Sequence, residues 1–545
     1  MHICLLPPEI LLHIFAIYQE DYGPLSSRAT LASLARTCKI FKEPALDILW
    51  KDIDGLEPLI SCLVACLPKG ISDKNTRGTL TIKRPLLNRE WSLINRYTQR
   101  IHSLRVFATQ LDTIDNRVVQ ALISAPSPLL PNLHDLSWRD DRECFIPLLR
   151  TLLSPTITLL KLDSSFSSLP SFAKAALLAS LGARCPCIRE LECFYDGVDS
   201  EEITDAICEA LCGLKELLRL ETDVFNTRIL PHLAFLPSLE YLHFVLSVYD
   251  ADEPQPNCVS TFSSHFDQVR FTIPTPFVLS QCLNNVHFLS CRSVTVGVDY
   301  DDTPYNPLDA TDLISSFSKC FSPALEKIHF EFEFPFSSIV EEDILADPIF
   351  ALHFDAIAPL LSFSHLTDLD LDWICASAVD DASLKTMAQS WPHLENFSFG
   401  SSARWLVPPS LTFVGFVHLI HHCRHLHSIA LPFCACPVDA NSEPFSETIP
   451  NEKITTLFVG VSPIVDPISV ACQLHTLLPK LTSVEFLDFD AEFFVPPPFE
   501  HFEGEWRRVN DFLKVLFTVA KMKRNTGQAP LAHVADLTDP GHNAH

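Results

Sequence analysis

The densest run of side chains able to bind a metal is HHCRHLH, residues 421–427. Histidine and cysteine are the usual ligands of zinc and copper, so the run raises the question of a metal centre. Its periodicity points elsewhere. Leu426, Ile429 and Leu431 fall in the apolar slots of a strand pattern that recurs along the chain, and His421 and His422 fall where the preceding helix should end. A solvated helix end is the expectation. Cys185-Pro-Cys187 and Cys434-Ala-Cys436 each place two thiols two residues apart, a spacing superficially suited to redox or zinc chemistry. Cys185, however, sits in the helix-end slot that Leu236, Trp391 and Leu478 fill elsewhere, so packing accounts for it. The acidic run DYDD at 299–302 lacks the spacing and glycine of an EF-hand and reads as a solvated loop. The sequence has no P-loop, no G-x-S-x-G elbow and no H-E-x-x-H helix. The expected protein is therefore not an enzyme and uses neither metal nor cofactor.

Composition narrows the class further. The chain has 545 residues, 47% hydrophobic and 20% charged, enough apolar material for a large core. Only 14 glycines argue against phosphate-cradling loops, which need close backbone approach. A net charge of -27 disfavours nucleic acid and anionic membranes, since both require a positive field. The 19 cysteines are scattered among apolar neighbours, and Glu9 interrupts the first apolar run, unlike a signal peptide. Reduced thiols in the cytoplasm or nucleus are expected. Prolines and charges break every apolar run before membrane-spanning length.

What must position any functional side chain is a repeat. The form Pro-x-Φ-x-x-Φ-x-Φ, with Φ apolar, appears at 131–138, 155–162, 186–193, 237–244, 323–330, 392–399 and 479–486. Copies lacking the proline lie near 100, 213, 266 and 290, and at 364–371, 424–431 and 453–459. Neighbouring copies are mostly about 24 to 34 residues apart, with one near 40. Upstream segments such as SFAKAALLASLGARC (171–185) and DASLKTMAQSW (381–391) have helical character. The proline ends the helix because it lacks an N–H and biases its predecessor towards extended backbone. The Φ-x-Φ that follows has the period of a strand, placing Leu191 with Cys193 and Leu369 with Leu371 on one face. One unit cannot bury its apolar face alone, but stacked units can.

The pattern predicts an α/β fold class: an irregular leucine-rich-repeat-like solenoid of parallel strands and outer helices over 101–504. The asparagine that usually follows the strand is replaced by residues such as Asp196 and Ile374, so irregular curvature is expected. Loops are expected at 249–258, 299–309 and 432–452, a capping helix at 505–524 and a disordered tail at 525–545. The residues interleaved with Φ would line the concave surface. They include Glu190, Glu192, Phe194, Tyr241, His243, Lys327, His329, Asp368, Asp370 and Asp372. These residues suggest a largely acidic face with aromatic anchors, suited to a basic or arginine-rich protein segment.

The first sixty residues lack the repeat. Residues 9–18 read as a helix with Ile10/Ile14 and Leu11/Phe15 at i, i+4. A polar spacer leads to a second helix at 30–41 with an apolar stripe of Leu31, Leu34, Ala35, Cys38 and Phe41. A third begins at 42–50 with Pro44 in its first turn. Three short helices make a marginal core, so the module must lean on the repeats or on a partner.

LPPEILLHIF, LASLARTCKIF and EPALDILWKDIDGLEPLISCL together present Leu-Pro, Ile-Phe, Cys-x-x-Phe and Leu-Trp in order. This set resembles the F-box of mushroom-forming fungi, and RPLLNREWSLINRYTQRIHSLRV (84–106) resembles the segment joining that F-box to leucine-rich repeats. The resemblance implies an F-box at 1–60 and a connecting segment at 61–100. It implies a substrate-recognition subunit of an SCF-type ubiquitin ligase, bound through a Skp-type adaptor to a cullin and a RING subunit. Carried over by position, Leu6, Pro7, Ile10, Ile14, Phe15, Leu31, Leu34, Cys38 and Phe41 belong to the adaptor-binding set. Some of these must build the domain's own core, and residue type alone does not divide the two roles. The alternative is an F-box and repeat scaffold that binds partners without promoting ubiquitination.

Overall fold

A computed structural model describes residues 6–21, 24–66, 72–74, 80–140, 142–163, 172–194, 201–223, 229–246, 259–299, 309–333, 348–372, 374–401, 407–441, 443–486 and 499–527. Asp196, the loops expected around 249–258 and 299–309, and the tail beyond 527 lie almost wholly outside the described residues. The chain divides into two units, 1–272 and 273–545.

The first unit opens with helices α1 (Pro8–Asp21), α2 (Pro24–Thr37) and α3 (Lys39–Lys51). The polar spacer is therefore partly helical, and the second break falls at Cys38, whose backbone is extended. Pro44 consequently lies inside α3 and not in its first turn. Starting α3 at Lys39 brings Phe41 edge-on to Phe15 at 5.7 Å, a packing gain that offsets the missing N–H at Pro44.

Helix α3 runs straight into strand β1 (Asp52–Asp54), which pairs in parallel with Ser103–Phe107. Parallel pairing continues through Asp135–Arg139, Leu159–Asp163, Glu190–Phe194, Arg219–Thr222, Tyr241–Val245 and Ser260–Ile273. The second unit repeats the scheme with Val286–Asp299, Lys327–Glu333, Asp368–Leu371, Asn396–Phe399, Ser428–Ala430 and Thr456–Phe458. Thus an N-terminal helical region precedes parallel strands interleaved with helices, the expected fold class. The expected copy at 479–486 contributes only a single bridge, Glu485 to Phe458.

One in-register apolar row runs through each unit. In the first, Leu104, Leu136, Leu160, Leu191, Leu220, Leu242 and Val269 are successive partners, all at most 2% exposed. In the second, Val294, Ile328, Leu369, Phe397, Ile429 and Leu457 do the same. Many of the strands start on a doubled backbone bond. The His102 carbonyl accepts from the N–H groups of His134 and Asp135, and the Thr158 carbonyl accepts from those of Arg189 and Glu190. The Thr367 carbonyl likewise accepts from Glu395 and Asn396. Backbone thus fixes the register without an asparagine ladder.

The helix-end slots share one backbone conformation. Cys185, Trp391 and Leu478, each before a proline, have φ between -128° and -120° and ψ between 60° and 73°. All three are buried, and Cys423, followed by arginine, adopts a similar shape. At the far end the helix Phe499–Gly527 buries Trp506, Val509 and Leu513. Its Asn510 amide accepts from the Val484 N–H at 2.7 Å and donates to the Val484 carbonyl at 2.9 Å, taking the place of a further strand.

Removing one rung should be costly. Leu220→Ala is expected to lower stability by about 2–5 kcal/mol in equilibrium denaturation, whereas exposed Lys215→Ala should stay within roughly 0.5 kcal/mol.

Candidate functional site

The helical module sorts its apolar residues into two populations. Leu11, Phe15, Leu31, Ala45 and Ile48 form its core, with Leu6, Leu12, Leu34, Ala35 and Phe41 packed partly buried around it. Phe15 and Leu31 are therefore structural members of the module, and Cys38 is half-buried at the break between α2 and α3. Ile10, Ile14 and Ile17 are 47%, 38% and 47% exposed. At 100° per residue they occupy one narrow stripe, about a third of a turn round α1 from Leu11 and Phe15. Pro7 and Pro8 are exposed at the start of the same helix. Ile40, in the first turn of α3, is also 47% exposed. Ile17 and Ile40 were missed from sequence, although Ile17 stands seven residues after Ile10 and its spacing alone would have found it.

The stripe is carried on a support tied to the first ladder. Arg100 forms ion pairs with Glu43 and Asp47 of α3 and donates to the Glu43 carbonyl at 3.3 Å. Trp50 packs on Tyr97 at 4.9 Å, and Arg28 bridges to Asp54 and the Asp52 carbonyl, each at 3.2 Å. Gly55 follows β1 with φ +77°, a backbone conformation that selects glycine, and a Cβ there would also push on the Gln110 side-chain amide at 2.9 Å. In the connecting segment buried Glu90 holds Arg84 at 2.7 Å and accepts from the Leu87 N–H at 2.8 Å. The Arg84 hydrogen bonds hold its carboxyl below the usual range.

The interleaved strand residues lie in registered rows, but their acids are not free. In one row Lys161, Glu192, Glu221, His243 and Arg270 are consecutive cross-strand partners. Lys161 pairs with Glu192. Arg219 lies 3.8 Å from exposed Glu190 and 3.6 Å from Glu221, with its guanidinium 3.9 Å above the Tyr241 ring. His243 bridges Glu221 at 3.3 Å and Thr272 at 3.0 Å, and half-buried Phe194 meets it edge-on at 6.0 Å.

The second unit behaves alike. Asp368 is buried, accepting from Asn396 at 2.6 Å and Thr367 at 2.7 Å, with Lys327 at 3.3 Å. Asp372 accepts from the Ser401 backbone and hydroxyl. Half-buried Asp370 is pushed up to about 7 by burial and by Asp372 and Glu331. Burial likewise lowers His329. On the face expected to be largely acidic, cations or amides of the same or neighbouring strands engage Glu192, Glu221 and Asp368, whereas Asp370 stands beside Asp372 and Glu331.

Neither cluster of metal-binding residue types assembles a centre. Among the described residues no three His, Cys, Asp or Glu are placed to hold a metal. His418 and His422 stack 6.4 Å apart, and burial lowers both, assisted by Lys385. His421 sits 3.3 Å from the Thr448 hydroxyl. Cys185 is buried while Cys187 is exposed. Among the described residues no helix is long and apolar enough to cross a membrane.

Residues 3–55 match the family model described as F-box-like. The chain carries an F-box-like domain. Its core and exposed stripe are those just described. No curated protein matches the chain. Among solved structures, the crystal structure of the Rad7 and Elc1 complex in yeast is similar over 70% of this chain and 85% of that chain, at 16% identity and a TM-score of 0.31.

Two outcomes follow from this geometry. Phe15→Ala should cost about 3–5 kcal/mol of F-box stability, whereas Ile14→Ala on the exposed stripe should cost well under 1 kcal/mol, read by denaturation of the full chain. Asp370 favours its protonated form in the fold but titrates near about 3.9 when unfolded. Its stabilising contribution is full below that value and is lost as pH rises through about 7. Asp370→Asn should therefore raise Tm at pH 8 and have a much smaller effect at pH 5.

Proposed function

We propose that this protein is the substrate-recognition subunit of an SCF-type ubiquitin ligase. The F-box-like domain binds a Skp-type adaptor, and the polar strand face captures a protein target. The observation that carries the reading is the F-box-like domain with an isoleucine stripe left outside its own core. Fully burying such a side chain is worth about 1.5–3 kcal/mol. Three half-exposed isoleucines therefore offer on the order of 3 kcal/mol to a partner that covers them. Pro7, Ile10, Ile14 and Ile17 form the proposed contact, with Ile40 a further exposed residue of the domain, while Phe15, Leu31 and Phe41 hold the helices that present it. The role is delivery and not catalysis, in the cytoplasm or nucleus. Target capture falls to Glu190, Tyr241 and their neighbours, where an arginine stacked on an aromatic ring offers an ordered, partly desolvated anchor.

The test is copurification of the full chain with a Skp-type adaptor. Wild type should bind, and the double variant Ile10→Glu, Ile14→Glu should remain folded and lose binding by at least tenfold. Absence of binding by wild type would overturn the reading. Adaptor binding without cullin recruitment would identify a scaffold that does not promote ubiquitination. Glu190→Lys with Tyr241→Ala should leave adaptor binding intact and abolish capture of the target, measured by proximity labelling against a truncation lacking residues 1–55.

A further inference from the structure

The thiols of Cys434 and Cys436 lie in contact, Sγ to Sγ 3.3 Å, and the backbone around them is built to keep them there. The Cys434 N–H donates to the Leu411 carbonyl at 2.8 Å, and Cys434 forms a parallel bridge with Thr412. On the other side the Ala435 N–H donates to the Pro463 carbonyl at 2.7 Å, and Ala435 bridges to Ile464. The chain then tightens. The Cys436 N–H donates to the Cys434 carbonyl at 2.9 Å, closing a three-residue turn. In an extended strand residues i and i+2 share a face about 6.6 Å apart, and this turn draws them together. Two residues on, the Gln473 amide accepts from the Val438 N–H at 3.2 Å and donates to the Val438 carbonyl at 2.6 Å. The turn is thus pinned at both ends, while both thiols remain half-buried and within reach of a small solute.

We propose that Cys434 and Cys436 form a redox-active dithiol, a modification site at which a hydroperoxide converts the pair into an intrachain disulfide. A disulfide bond is about 2.04 Å long, so the sulfurs must close by roughly 1.2 Å, within the reach of side-chain torsion. The thiolate of Cys436 attacks the peroxide oxygen, forming S–O and breaking O–O, and the leaving oxygen departs protonated as water or alcohol. The Cys434 sulfur then attacks the sulfenic sulfur, forming S–S and breaking S–O, and the hydroxyl leaves as water with the Cys434 proton. Two thiols lose two electrons and the hydroperoxide gains them. Burial, with Cys436 adjacent, pushes the Cys434 thiol up to about 11, and the resolving role is assigned to it within the proposal. The other C-x-C pair is unlike this one. Cys185 closes a buried helix-end slot at 0% exposure, while Cys187 is exposed.

The test uses the reduced full chain, treated with hydrogen peroxide, quenched with N-ethylmaleimide, digested and analysed by mass spectrometry. The peptide carrying both residues should lose two hydrogens and both alkylation sites, and regain both sites after dithiothreitol. Cys434→Ser should instead accumulate a sulfenic acid at Cys436 that dimedone traps, whereas Cys436→Ser should leave Cys434 alkylatable at the same dose. Phenylarsine oxide, which bridges closely spaced thiols, should bind the reduced wild type at this peptide and neither variant. Peroxide that joins either cysteine to a different one, or consumes other cysteines while both of these stay alkylatable, would overturn the proposal.

Discussion

Within each unit the structure depends on buried apolar residues held in register from strand to strand. Leu191 faces Leu160 on one side and Leu220 on the other, and Leu369 stands between Ile328 and Phe397. Because side chains alternate along a strand, burying that row commits the adjacent residues to the opposite face. A one-residue slip would bury Glu192 or Asp370 and expose the leucines. The polar rows are therefore a consequence of the apolar one, and the doubled bonds at many strand starts make the register there a backbone property.

The same logic reaches the F-box-like domain. Helix α3 has no loop before β1, so the domain's third helix and the first strand of the ladder are one continuous piece of chain. Arg100, just before the next strand, ties back to Glu43 and Asp47 of α3, and Gly55 permits the turn that follows β1. With Phe15 and Leu31 turned inward against Ala45 and Ile48, α1 has no core left to offer Ile10, Ile14 and Ile17. Three short helices bury only one side of α1. The stripe is the remainder.

Much of the repeat was legible because its signals are local. A proline after a helical segment, followed by Φ-x-Φ, places a strand within a few residues, and the strand at Glu190–Phe194 runs one residue past the expected copy at 186–193. The short strand β1 was not legible, since Asp-Ile-Asp carries one apolar residue and gains its identity only from pairing with Ser103–Phe107. Division of the F-box residues also lay beyond the pattern: Ile14 and Phe15 are adjacent and equally apolar, and only the packing of α3 decides between them. The pairing of charges on the strand face was not legible for a related reason. Lys161 and Glu192, or Arg219 and Tyr241, are neighbours in space but more than twenty residues apart in sequence, and a list of interleaved acids does not contain their partners.

That compensation changes what the face can recognise. A chain of net charge -27 projects a negative field at long range, so cationic partners are attracted before contact. At the strand face, however, Glu192 and Asp368 are already engaged by Lys161 and Lys327. An incoming arginine must displace a cation that is pre-positioned by the ladder, and gains little over the pair it replaces. Selectivity at such a surface comes from shape and from anchors such as Tyr241, whose ring is fixed under Arg219, more than from bulk acidity. In the proposed role as a substrate receptor, the long-range field would set how often a partner arrives and the paired rows which one stays.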